Sequence, residues 1–215
     1  MTVLVTGASK GIGLATTKAL LDAGYEVIAQ YRDTEPSLTH ENLSWWQAGF
    51  GPGASLEPPA ADIEAIIHCA GVAILGTCAE LDPQAWRDHM EVNLYGPIAL
   101  TTMLLPELRK RDGHVIYINS GAGLHTKPEW GAYSASKFAA RAWCDTLRAE
   151  EPDIRVSSIY PGRVDTDMQR GIVAYEGKEY DGSQFIAPET IAQTVLSVLQ
   201  TPRDAQVNDV SIRPR

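Results

Sequence analysis

Tyr133 and Lys137 stand four residues apart, with Ser120 thirteen residues before the tyrosine. On a helix the first two share one face, with Cβ atoms roughly 5–6 Å apart. A free phenol has a pKa of about 10 and releases its proton poorly at neutral pH. A lysine charge about 6 Å away, at an effective dielectric near 20, favours the phenolate by roughly 3 kcal/mol. That lowers the pKa by about two units and lets a tyrosine act as general acid and base. A solvated helix face offers the same spacing by chance, so the surroundings of the pair decide.

Those surroundings are a scaffold of short apolar runs and helices. His114–Asn119 is an apolar, β-branched run that predicts a buried strand. Ser120 ends it, before the loop signal Gly121-Ala122-Gly123. In open α/β sheets ligands bind at the carboxyl ends of strands, where this serine falls. The chain opens on another such run, Val3–Val5, then Thr6-Gly7-Ala8-Ser9-Lys10-Gly11-Ile12-Gly13. Helical spacing follows from Gly11 to Gly24, then a strand at Tyr25–Tyr31. A glycine loop between strand and helix suits a pyrophosphate, because the helix N-terminus presents free N–H groups. Further strands are expected at Leu43–Gln47, Ala65–Cys69, Ile154–Tyr160 and Val207–Ile212. A long helix is expected from Asp82 to Arg109, capped by Asp82-Pro83 and kinked at Gly96-Pro97. Others run from Trp130 to Glu151 and from Pro188 to Leu199. Arg32–Asn42 has room for a turn or two, and Gly49–Pro59, with three glycines and three prolines, is expected to be a loop. Trp45, Trp46 and Phe50 at this trimmed edge are expected in the core, with a partner surface as the other reading.

With Asn93 inside the long helix, the glycine loop, Ser120 and Tyr133-x-x-x-Lys137 occur in an order that resembles the short-chain dehydrogenase/reductase family over nearly the whole chain. The resemblance implies one doubly wound, Rossmann-like α/β domain over residues 1–215, with a mainly parallel sheet of about seven strands. It implies that Tyr133 protonates a carbonyl as hydride arrives from a nicotinamide, and that Ser120 orients that oxygen. Lys137 would hold the nicotinamide ribose, and Asn93 would hold a water linking the lysine to solvent. The family's Asn-Asn-Ala-Gly is here His68-Cys69-Ala70-Gly71, which keeps the small pair beside the ribose. Pro161-Gly162-Arg163-Val164-Asp165-Thr166 resembles the stretch that holds the nicotinamide amide and phosphates, with Pro161, Gly162, Val164 and Thr166 as contacts. Gly171–Ile186 falls where relatives keep a mobile lid, and His125, Met168, Tyr175 and Tyr180 are candidate cleft residues without a strong anion clamp. No aspartate follows the third strand, so the family's adenine contact has no evident counterpart. An NADP-sensing regulator without turnover is the alternative, and it would not need all four catalytic residue types.

Cofactor identity is expected to be set about twenty residues past the loop, where an acid selects NAD and an arginine NADP. Tyr31 and Arg32 stand there, Asp33 follows, and Lys10 precedes Gly11. NADP(H) is therefore expected over NAD(H). The net charge of −9 in 215 residues makes local basic residues informative and argues against a nucleic-acid partner. Cys69, Cys78 and Cys144 form no paired framework, and with His68 and His89 they match no zinc spacing, so a reduced, metal-free cytoplasmic protein is expected. No signal peptide is expected, because the N-terminus goes straight into a strand and a glycine loop, and no membrane span, because the longest apolar stretch, Ala65–Gly76, carries His68 and is too short. Surplus apolar residues on the two long helices, among them Leu100, Met103, Leu104, Trp143 and Leu147, predict a homodimer, or a homotetramer built from it.

Overall fold

The computed structural model describes residues 1–33, 36–51, 56–59 and 61–215. Parts of Arg32–Asn42 and of the expected Gly49–Pro59 loop lie outside the described residues. Seven strands form one sheet: β1 (Thr2–Thr6), β2 (Glu26–Tyr31), β3 (Leu43–Gln47), β4 (Ile63–His68), β5 (His114–Ile118), β6 (Arg155–Pro161) and β7 (Asp209–Ile212). Their order is β3-β2-β1-β4-β5-β6-β7, and every pairing is parallel rather than mostly so. Central strands are apolar on both faces because helices cover both, as the fully buried Val3-Leu4-Val5 and Val115–Tyr117 show.

One face carries α1 (Gly11–Asp22) and α6 (Pro188–Leu199), packed on Val3, Val5 and Ile67. The other carries α2 (Pro83–Met90), α3 (Gly96–Lys110) and α4 (Gly131–Glu150), packed on Leu4, Ile66 and Tyr117. A shorter helix, α5 (Asp167–Tyr175), follows β6. The strand order reverses between β1 and β4, which opens a crevice at their carboxyl ends.

One expectation is corrected. The long helix is not one kinked rod: a π-helical turn, Glu91–Tyr95, joins α2 to α3 ahead of Gly96-Pro97. Pro97 has no N–H to return to the Asn93 carbonyl one turn back, and the Tyr117 hydroxyl donates to that carbonyl instead. The stretch at the family's lid position, Gly171–Ile186, opens in the second half of α5, a helix capped by Thr166, whose Oγ1 accepts from the Gln169 N–H at 3.3 Å. Phe50 is buried, and Trp45 and Trp46 pack against the two cores, as the core reading expected.

Candidate active site

Three glycines build a cradle at the end of β1. Gly7 and Gly11 take positive φ, 62° and 54°. A Cβ on Gly13 would meet the Gly7 carbonyl at 2.2 Å, and one on Gly7 would meet the Ala70 backbone at 2.7 Å. No side chain caps α1 and no acid sits in its first turn, so its amide groups are free for an anion. Gln30, on β2, pins the loop: its Oε1 accepts from Gly7 N at 2.7 Å and its Nε2 donates to the Ala48 carbonyl. Thr6 Oγ1 accepts from the Cys69 and Ala70 N–H groups at 3.1 and 3.2 Å, tying the loop after β1 to the one after β4. This bare-backbone cradle beside a helix start fits a dinucleotide; Gly7, Ser9, Gly11, Ile12 and Gly13 are the residues that would hold its pyrophosphate, and Cys69, Ala70 and Gly71 those that would flank its ribose.

Tyr133 and Lys137 emerge from one face of α4, both buried. Small residues, Ala132, Ser136 and Ala140, let this helix lie close to the sheet. Ser120 stands two residues beyond β5; its Oγ accepts from Ala122 N at 3.1 Å, leaving its own hydrogen to donate. In front of them lies a cleft of about 320 Å³. Ser120, Tyr133, Ile12, Pro161, Gly162, Val164 and Thr166 all line it.

The electrostatics differ from the simple pairing expected of Tyr133 and Lys137. Burial raises the Tyr133 pKa, and the Ser120 hydroxyl bonded to it pulls the other way. Lys137 Nζ lies 6.0 Å from the Tyr133 ring centre and donates to Tyr117 Oη at 3.2 Å and to the Ile118 carbonyl at 2.9 Å. Burial lowers its pKa to about 7. For Tyr133 the effect of burial is the larger one, and its pKa is raised rather than lowered.

Asn93 is held at both ends of its side chain. Its Oδ1 accepts from Val72 N at 2.9 Å, and its Nδ2 donates to the Val72 carbonyl and to Ser136 Oγ, each at 3.0 Å. It clamps the loop after β4 onto α4, while its main-chain carbonyl receives Tyr117. Three participants were missed in the sequence. Tyr117 replaces a polar link between Lys137 and Asn93, but it lies in a run that scans as purely apolar. His89 is buried under Tyr133, ring centres 6.1 Å apart, and accepts from Ile74 N at 3.0 Å. Gln30 is a buried polar residue in an otherwise apolar strand, which was the one available signal.

At the outer end of the cradle, Tyr31 packs edge-on against Trp45. Arg32 and Lys10 are exposed, paired with Asp33 at 2.7 Å and Asp167 at 3.6 Å. His125 and Met168 line the cleft as expected, whereas Tyr175 and Tyr180 do not. Tyr180 instead donates to Asp165. Burial raises the Cys69 thiol to about 12, which makes it inert. Among the described residues no cluster of metal-binding side chains occurs, and no helix is long and apolar enough to cross a membrane.

A nucleotide cradle and a serine–tyrosine cleft backed by a buried lysine, on a doubly wound sheet, define an NAD(P)-dependent dehydrogenase or reductase. The comparisons agree. The model of the short chain dehydrogenase family matches residues 1–44 and 57–177. Dehydrogenase/reductase SDR family member 7B of Bos taurus is 31% identical, covering 92% of this chain and 70% of its own. An uncharacterized oxidoreductase of Schizosaccharomyces pombe is 31% identical, covering 90% of this chain and 88% of its own. Among solved structures, serine dehydrogenase in its closed form with NADP+ superposes with a TM-score of 0.87 at 25% identity, covering 99% of this chain and 94% of its own. Serine dehydrogenase from Escherichia coli gives 0.83 at 26% identity, with 99% and 97% covered. The chain belongs to the short-chain dehydrogenase/reductase family. The regulatory alternative finds no support among these relatives.

Proposed function

We propose that the chain reduces a ketone or aldehyde to the alcohol with NADPH, and that Tyr133 is the proton donor. The observation that carries this is the shared cleft: Ser120 and Tyr133 line it together, beside the glycine cradle. When bound, the nicotinamide supplies hydride. Ser120 donates a hydrogen bond to the carbonyl oxygen and fixes its position. Tyr133 delivers its proton to the same oxygen as negative charge develops there. Burial favours its neutral, proton-bearing form, which suits a donor. Lys137, with a pKa near 7, can then exchange a proton with its surroundings near neutrality.

The preference for NADPH rests on Tyr31 and Arg32 at the end of β2, with Lys10 across the loop. Both cations are more than two-thirds exposed, so their ion pairs with Asp33 and Asp167 cost little to exchange for a phosphate. A charged hydrogen bond contributes about 1.5–3 kcal/mol, so two support a preference of roughly 100-fold or more. A panel of ketones and aldehydes followed at the nicotinamide absorbance tests both points. Carbonyl turnover with higher kcat/KM for NADPH than NADH is expected, with the preference lost through KM in Arg32→Ala/Lys10→Ala. Equal efficiency with both cofactors would contradict the assignment.

A further inference from the structure

The cleft walls carry more positive charge than the carbonyl chemistry uses. Lys127, on the loop after β5, and Arg163, after β6, both line the cleft with Ser120 and Tyr133. Both are held by one carboxylate, Glu176, just beyond α5: Arg163 Nη2 and Lys127 Nζ meet its Oε1, the latter at 3.6 Å, and Lys178 Nζ approaches Oε2 at 3.5 Å. Among the described residues none of these cations has a second acidic partner within ion-pair distance. Three cations thus share one anion. Burial works against the Glu176 carboxylate, yet the three cations hold its pKa below the ordinary value. Lys127 feels the reverse: burial lowers its pKa, and the Arg163 and Lys178 charges add to that. A further anion in the cleft would relieve this crowding of like charges.

The cluster is fixed relative to the reacting centre. Lys127 Nζ lies 4.0 Å from the Trp130 ring centre, and that indole meets the Tyr133 ring edge-on at 5.7 Å. Arg163 is steadied by the Phe185 ring at 6.0 Å. One indole therefore separates the lysine charge from the tyrosine, which suits a short substrate with an anionic end. Neither cation was among the candidate cleft residues read from the sequence.

Building on the carbonyl-reductase reading, we infer that the substrate is a short oxo acid whose carboxylate is bound by Lys127 and Arg163 while its carbonyl faces Ser120 and Tyr133. Glu176 limits how much positive charge the pair offers. It also keeps the two cations placed before the substrate arrives.

The probes are 2-oxobutyrate, 3-oxobutyrate and 4-oxopentanoate, each against its methyl ester, with NADPH and the full chain. For the acid that turns over best, the acid-to-ester ratio of kcat/KM is compared across variants, which cancels the intrinsic reactivity of the two compounds. Lys127→Gln and Arg163→Gln should each lower that ratio about tenfold or more. Glu176→Gln should raise it, because the cations lose their competitor. A merely structural ion pair would depress acid and ester alike in all three variants, leaving the ratio unmoved, and that result would overturn the inference. So would turnover of the esters with no use of the acids. Turnover of neutral ketones without any preference for acids overturns this inference alone. Failure to reduce any carbonyl compound, with NADPH binding intact, counts against the carbonyl-reductase reading as well.

Discussion

Lys137 is a buried ammonium whose hydrogen-bond partners are a hydroxyl and a carbonyl, neither of them charged. Tyr117 serves two groups at once, accepting from Lys137 and donating to the Asn93 carbonyl that Pro97 leaves open. Tyr117→Phe should cost about 1–3 kcal/mol in urea unfolding, the usual cost of a buried polar group left without its partner. It should also move the limb of the kcat/KM profile near pH 7 to lower pH, since the ammonium loses a supporting bond. Unchanged stability with an unchanged profile would contradict this role. Burial also lowers His68 and His114 to about 3, with nearby Lys137 and Arg155 adding to the respective shifts. Their folded pKa values lie below the unfolded value, so the unfolded chain takes up protons that the native state refuses. Stability is then complete above about pH 6.5 and falls on acidification, by up to about 1.4 kcal/mol per pH unit for each histidine. Denaturation midpoints at pH 7 and pH 5 should differ accordingly, and His114→Gln should flatten the slope; a slope indifferent to that substitution would refute it. At this scale the catalytic types were legible because their spacing is chemical. Tyr117 was not, because a polar tip inside a strand leaves no periodicity to read.

The glycine loop is the element on which cofactor binding rests. Gly13 approaches the Gly7 carbonyl so closely that Gly13→Ala must push α1 away from β1 or open the loop. That variant should lose NADPH affinity at least about tenfold, since the α1 amide groups would no longer point into the cradle. Its far-UV spectrum should stay near native. Wild-type affinity measured by nicotinamide fluorescence would contradict the cradle. The central strands were legible in the sequence because burial on both faces demands continuous apolar runs, as in β1 and β5. The π turn at Glu91–Tyr95 was not, because a proline signals a disturbed helix without saying whether it bends or widens. Nor was the start of α5, capped by Thr166, where no helix is expected from the sequence.

Over the whole molecule, the apolar surplus expected on the long helices is largely spent internally. Leu100, Leu104 and Leu147 are buried, and Trp143 meets His68 and Tyr117 edge-on. Tyr95, Met103 and Phe138 remain exposed, the first just ahead of α3 and the others on α3 and α4. They support the proposal of a homodimer through these helices. Light scattering at micromolar concentration should give twice the chain mass, and Phe138→Glu with Met103→Glu should halve it; a wild-type monomer would count against the pairing. The central claim concerns one proton. Sheet order, the reversal between β1 and β4, and the α4 face bring Tyr133 to the cleft beside Ser120. The most direct test is single-turnover carbonyl reduction by Tyr133→Phe, with NADPH affinity measured on the same sample. The account predicts a rate lower by roughly 100- to 10,000-fold with cofactor affinity nearly unchanged. Near wild-type reduction by that variant would contradict it.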